Sequence, residues 1–276
     1  MPDIADTEEA VSPLLHGNIR FEGVGVRAGG TGRWSLRHVD LEIEAGTTVG
    51  IVGATGSGKS TLLSLLGRVI DPDEGRVTID GYDLRSIRLA TLRSTVVTVP
   101  QETLLFSMEL RRNITLGLNN IPDERIFEAA RVARLTNDLA QLPHGLGTIV
   151  GERGATLSGG QKQRTAIARA LVRDPRVLVL DDSLASVDTH TTAEILEELR
   201  SARAGRTCLI VSQRLASVRD ADQIIVIDEG RIAERGTHQN LLALDGRYAA
   251  MYRRELQQAE EDTHDADPNS ATEDIR

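Results

Sequence analysis

The chain has 276 residues, 40% hydrophobic, 26% charged and 3% aromatic, which suits one large globular domain or two small ones. Its net charge is −9, but the acids crowd the ends. Asp3, Asp6, Glu8 and Glu9 lie in the head, and Glu260, Glu261, Asp262, Asp265, Asp267, Glu273 and Asp274 in the tail, so the body between is close to neutral. Such a body excludes a nucleic-acid footprint, and the lone Cys208 excludes a disulfide scaffold. No stretch approaches the ~18 apolar residues of a membrane span, the acidic start lacks the basic and apolar regions of a signal peptide, and the scattered histidines offer no zinc spacing.

In chain order, residues 1–17 are polar, are set off by Ser12-Pro13 and read as a linker-like head, with folding expected from about Asn18. Ile19–Val26 and Leu36–Ile43 alternate apolar and polar residues around a glycine loop, which predicts two antiparallel strands. Thr48–Val52 is instead a nearly continuous apolar strand of the kind buried on both faces of a parallel sheet, and a helix from Ser60 to Arg68 follows it. Buried strands recur at Val96–Val99, Val177–Leu180, Thr207–Val211 and Gln223–Ile227; helices are expected over Pro122–Ala140, Gly160–Val172, Thr191–Ala202 and Gln239–Gln257. The alternation predicts an α/β fold with a mostly parallel sheet. Between Gln101 and Gly154 the strand signal disappears, a helical insertion, and the acidic segment 257–276 reads as disordered.

Gly53-Ala54-Thr55-Gly56-Ser57-Gly58-Lys59-Ser60, continuing into Thr61, matches the phosphate-loop pattern G-x-x-x-x-G-K-[ST] between a strand and a helix. Glycines let backbone N–H groups converge on phosphates, and the helix start adds its positive dipole. Lys59 would reach the β- and γ-phosphates of ATP and Ser60 would ligate Mg²⁺. The apolar strand Val177–Leu180 delivers Asp181 at its carboxyl end, where a second Mg²⁺-directed group belongs. Leu157-Ser158-Gly159-Gly160-Gln161 then opens a helix with exposed glycine amides, a second anion-binding terminus that one nucleotide does not need.

With that segment the chain resembles the ATP-binding cassette (ABC) family over about residues 18–256: a phosphate-loop NTPase with a RecA-like core sheet, an N-terminal antiparallel β subdomain and a helical subdomain at about 102–156. The resemblance implies a head-to-tail dimer in which Ser158, Gly159, Gly160 and Gln161 close over ATP held by the other cassette. Gln101 falls at the glutamine that contacts Mg²⁺ and the membrane-domain interface. Thr148-Ile149-Val150-Gly151-Glu152-Arg153-Gly154, Leu104-Leu105-Phe106-Ser107 and Arg112-Asn113-Ile114 resemble exporter cassettes, so membrane-spanning domains and a place at the cytoplasmic face of the membrane are implied.

Four positions depart from the family. Its catalytic glutamate is Asp182 here, one methylene (~1.5 Å) shorter. Its switch histidine is Gln213, an amide that carries no charge. The aromatic that stacks on adenine should sit near position 28, which is Ala28; Trp34 is one substitute, or a loop tryptophan packed on the surface. The segment Ala185-Ser186-Val187-Asp188 differs from the usual S-A-L-D. Asp182 and Gln213 beside an intact signature resemble the degenerate half of heterodimeric ABC exporters, whose partner cassette supplies the catalytic Glu and His. A fully hydrolysing homodimer and a soluble non-transport ATPase are the alternatives. His190 and His238 carry no assigned chemistry.

Overall fold

A computed structural model describes residues 4–29, 32–201 and 205–265. The first strands, β1 (Ile19–Arg27) and β2 (Trp34–Ile43), pair antiparallel, as their alternation predicts. Next come β3 (Thr48–Val52), α1 (Lys59–Leu66), β4 (Glu74–Ile79) and β5 (Tyr82–Asp83), and the antiparallel sheet is ordered β2-β1-β4-β5. The short α2 (Leu89–Thr95) leads into β6 (Val96–Val99). The insertion holds α3 (Leu110–Ile114), α4 (Asp123–Val132) and α5 (Thr136–Gln141). The core resumes with α6 (Gly159–Leu171), β7 (Val177–Asp181), α7 (Thr189–Ser201), β8 (Thr207–Val211), β9 (Gln223–Asp228), β10 (Arg231–Gly236), α8 (His238–Ala243) and α9 (Arg247–Asp265).

The second sheet runs β10-β9-β3-β8-β7-β6, parallel throughout except for the antiparallel edge strand β10. Successive side chains of a strand point to opposite faces, and the two cores divide accordingly. Val49, Ile51, Val177, Val179, Leu209 and Val211 face α1 and the antiparallel sheet; Leu178, Leu180, Cys208 and Ile210 face α6, α7 and the insertion. Both faces being covered explains why these strands read as unbroken apolar runs. Gly50 in β3 is required by close packing, because a Cβ there would lie 2.6 Å from the Cβ of Val218.

Two expected helices are each broken into two. The stretch Pro122–Ala140 ends α4 at Val132, where Arg134 turns left-handed (φ 54°) and the Leu135 amide donates to the Ala130 carbonyl at 2.8 Å. Arg134 is held there by Glu194 on α7. Likewise Gln239–Gln257 breaks at Asp245 (φ 51°), and Glu234 of β10 accepts from the Tyr248 amide at 3.0 Å to cap α9. In both cases the break is accompanied by a bond to a residue outside the expected helix, Glu194 or Glu234, which local periodicity cannot show.

The head, read as a linker, lies against the body. Ala10 and Leu15 are buried, Val11 bridges Ile87, and Asp80 accepts from the Gly17 and Asn18 amides at 3.1 and 3.0 Å. At the other end α9 continues helically through Asp265, into the segment read as disordered; residues 266–276 lie outside the described residues. No described helix is long and apolar enough to cross a membrane.

Candidate nucleotide-binding site

The parallel strands deliver the site residues to one edge of the sheet. Gly53 follows β3, Gln101 follows β6, Asp181 ends β7 with Asp182 after it, and Gln213 lies two residues past β8. Loops beyond the carboxyl ends of parallel strands are where α/β sheets bind ligands.

The phosphate loop is shaped by its glycines. At Gly53 (φ 149°) a Cβ would collide with the Ile227 carbonyl, and at Gly58 (φ 113°) it would stand 2.6 Å from the Ser35 carbonyl oxygen. Gly56 (φ 79°) faces open space. Gly58 is also the N-cap of α1 and supplies no side-chain cap, so the first amides of the helix remain for an anion. Lys59 Nζ donates to the carbonyls of Gly53 (2.7 Å) and Ala54 (2.9 Å). Burial lowers the Lys59 pKa against the opposing pull of Asp181 and Asp182. Burial likewise raises that of Asp181, helped by Asp182 and opposed by Lys59.

Asp182 is left-handed (φ 47°), and its amide donates to the Val211 carbonyl at 2.9 Å. Two amides approach the same carboxylate oxygen, Gln101 Nε2 at 3.4 Å and Gln213 Nε2 at 3.5 Å. Lys59, Gln101, Asp181, Asp182 and Gln213 therefore lie together.

The signature segment is built differently. Ser158 caps α6 in a reciprocal box, with the Gln161 amide donating to Ser158 Oγ (3.2 Å) and the Ser158 amide to Gln161 Oε1 (3.0 Å). Gln161 Nε2 also donates to Asp138 of α5 at 3.2 Å, so both ends of the Gln161 side chain are engaged within the fold. Asp138 in turn takes two 2.9 Å bonds from the Arg164 guanidinium, and the Ser186 amide donates to Gln163 at 2.8 Å. Ser158 and Gly159 stay exposed.

A cleft of about 830 Å³ beside the phosphate loop is lined by Thr55 and Gly56, by Ala28 and Trp34, and by the basic walls Arg33, Arg37 and Arg231. None of Ser158, Gly159, Gly160 and Gln161 lines it. Trp34 lies under the Arg27 guanidinium, 4.6 Å from the ring centroid. Sequence reasoning missed Asp138 and Gln163, which no motif marks, and the basic walls, whose arginines are dispersed along the chain. His190 is an exposed residue in the first turn of α7, and His238 Nδ1 pairs with the Tyr248 hydroxyl at 2.8 Å.

A phosphate loop on a parallel core sheet, joined to an antiparallel β subdomain and a helical insertion, defines a nucleotide-binding cassette. The sequence model of the ABC transporter family matches residues 36–185, and the chain belongs to that family. It is 43% identical over 253 residues to the probable multidrug resistance ABC transporter ATP-binding/permease protein YheI of Bacillus subtilis, covering 92% of this chain and 43% of the relative. To an ATP-dependent lipid A-core flippase of Alkalilimnicola ehrlichii it is 43% identical over 238 residues, covering 86% and 40%. To multidrug resistance protein 1 of Entamoeba histolytica it is 44% identical over 251 residues, covering 90% and 19%. The chain thus spans less than half the length of these relatives. The solved structure of a bacterial Atm1-family ABC exporter with ATP bound superposes with a TM-score of 0.88 at 39% identity, over 91% of this chain and 44% of that one.

Proposed function

We propose that this chain is the cassette of a membrane exporter, that it binds ATP with Mg²⁺, and that its own site turns ATP over slowly while its signature completes the site of a second cassette. The partners in this reading are membrane-spanning domains, met at the cytoplasmic face of the membrane, and a cassette carrying a catalytic Glu and His. Two exporter-like stretches support the docking. The Leu110 amide donates to the Thr148 carbonyl and that of Val150 to Met108, both at 2.9 Å, and nearby Leu104, Phe106 and Ile149 are exposed, an apolar surface of the sort that marks an interaction site.

The residues present fit a nucleotide and its ion. Ser57 Oγ is buried in the phosphate loop without a protein partner, and the open side of Gly56 leaves room beside it. Ser60 hydroxyl, Asp181 carboxylate and Gln101 amide oxygen are an all-oxygen donor set suited to Mg²⁺, which would offset the charge of the terminal phosphates. Lys59 and the α1 amides hold the phosphate chain, and the base lies along the cleft wall at Trp34.

The observation that carries the slow-site reading is the Asp182 corner. A short carboxylate is flanked by the amides of Gln101 and Gln213, and an amide can orient water but cannot accept its proton. The test is ATP turnover by this chain reconstituted with a candidate partner cassette. Removing the partner's catalytic glutamate should stop hydrolysis, whereas Asp182→Ala should change the rate less than about twofold. If the chain alone hydrolyses ATP rapidly and Asp182→Ala abolishes it, the homodimer reading replaces this one. Trp34 is the sole tryptophan, so its fluorescence reports binding independently of turnover.

A further inference from the structure

We infer that the last helix, α9, is part of the catalytic apparatus and that Glu255 is a positioning residue for the loop carrying Gln213. Glu255 Oε2 accepts the Leu215 amide at 2.7 Å. Leu215 opens a short 3-10 turn, Leu215–Ser217, whose own N-cap Arg214 supplies no side-chain cap. A carboxylate from a helix 40 residues away therefore does the work of the missing cap, in the place where an anion is favoured.

The geometry ties this contact to the site. Asp182, Ala185, Gln213 and Leu215 face Met251, Arg254 and Glu255 across a cleft of about 480 Å³. Tyr248 is fully buried, and its hydroxyl pairs with His238, which anchors the first turns of α9. Met251, Tyr252 and Glu255, half-buried, continue the same face by helical spacing. Of Tyr248, Met251, Tyr252 and Glu255 only Glu255 is charged, and it meets the backbone two residues past Gln213. The far side of the loop is held as well, because Arg214 Nη1 donates to the Val187 carbonyl at 3.2 Å. Gln213 is exposed, so two tethers, Glu255 and Arg214, hold the loop from which its side chain reaches Asp182.

The inference rests on the nucleotide-site reading, since Asp182 and Gln213 must act on bound ATP for their positioning to matter. The test is single-turnover hydrolysis of radiolabelled ATP by an excess of the full chain, which measures slow and fast sites alike, with affinity followed by Trp34 fluorescence. Glu255→Ala should lower the turnover rate constant about tenfold with ATP affinity unchanged. Glu255→Gln, whose amide oxygen can still accept the Leu215 amide, should restore it. In a Gln213→Ala background Glu255→Ala should have little further effect. An unchanged rate, loss of affinity in parallel with rate, failure of the glutamine to rescue, or additive losses in the double variant would each overturn the proposal. Rapid turnover by the unaltered chain would sink only the slow-site reading, and absence of a Trp34 response with no bound label would sink the nucleotide reading itself.

Discussion

Two helix starts in this molecule are suited to anions, and they are built on opposite plans. At α1 the cap is a left-handed glycine without a side chain, and the loop is shaped by backbone clearances, Gly53 against Ile227 and Gly58 against Ser35. At α6 the cap is a serine in a closed box with Gln161, steadied by Asp138 from the insertion and by Gln163 bonded to Ser186. The first start belongs to the rigid sheet that also delivers Asp181 and Asp182. The second is attached by side chains to a separate helical segment. In the proposed pairing of two cassettes, a site that closes around a ligand needs one fixed wall and one that can be repositioned, and the two constructions would suit those roles.

The largest expected effect lies in the side-chain construction. Asp138 is 9% exposed and holds both Arg164 and Gln161. Asp138→Ala leaves a nearly buried guanidinium without its partner, and a loss of about 3 kcal/mol is expected, a fall in Tm of roughly 6–12 °C. Thermal denaturation measures it. A fall of less than about 2 °C would mean that α6 is held by packing alone and that the contrast between the two starts is overstated.

The glycines of the other start sharpen the comparison. Gly58→Ala forces a Cβ to 2.6 Å from a backbone oxygen at φ 113° and should cost about 2–3 kcal/mol in stability. Gly56→Ala meets nothing within 4 Å at φ 79° and should cost about 1 kcal/mol, yet weaken ATP binding because the new methyl enters the phosphate space. Denaturant unfolding alongside Trp34 fluorescence titration separates the two outcomes. Equal stability losses at both positions would show that the loop is strained as a whole rather than wedged at Gly58.

This difference also explains what the sequence made legible. The α/β architecture, the buried parallel strands and the phosphate loop are written in contiguous residues, where glycine spacing and apolar runs carry the physics. Gln101, Asp182 and Gln213 were identifiable by family resemblance, but the convergence of the two glutamines on one oxygen of Asp182 depends on three loops set by sheet order. Asp138 acts across 23 and 26 residues, Glu234 across 14 and Glu255 across 40. Each is an ordinary surface-type acid until the fold brings a donor to it. The broken helices at Arg134 and Asp245 were missed for the same reason.

The smallest effect tests whether the sheet between the two starts stays closed. Cys208 lies on β8, beside the β3 strand that leads into the phosphate loop. It is 7% exposed, and burial pushes its thiol up to about 12. The thiolate is the reactive form, and because the folded pKa is raised, it stays protonated through the pH range in which a free cysteine ionises. At pH 8 a thiol reagent should therefore label native Cys208 only as fast as the protein opens, and denatured chain at once. Asp138→Ala should raise the labelling rate by the factor that its loss of global stability sets, growing exponentially with that loss, since Cys208 packs in the core shared with α6. Gly58→Ala should do the same through its own smaller loss. If Gly58→Ala instead speeds labelling well beyond its measured destabilisation, β3 and β8 open locally when the phosphate loop is strained, and the wall that carries the phosphate loop is the more pliant of the two.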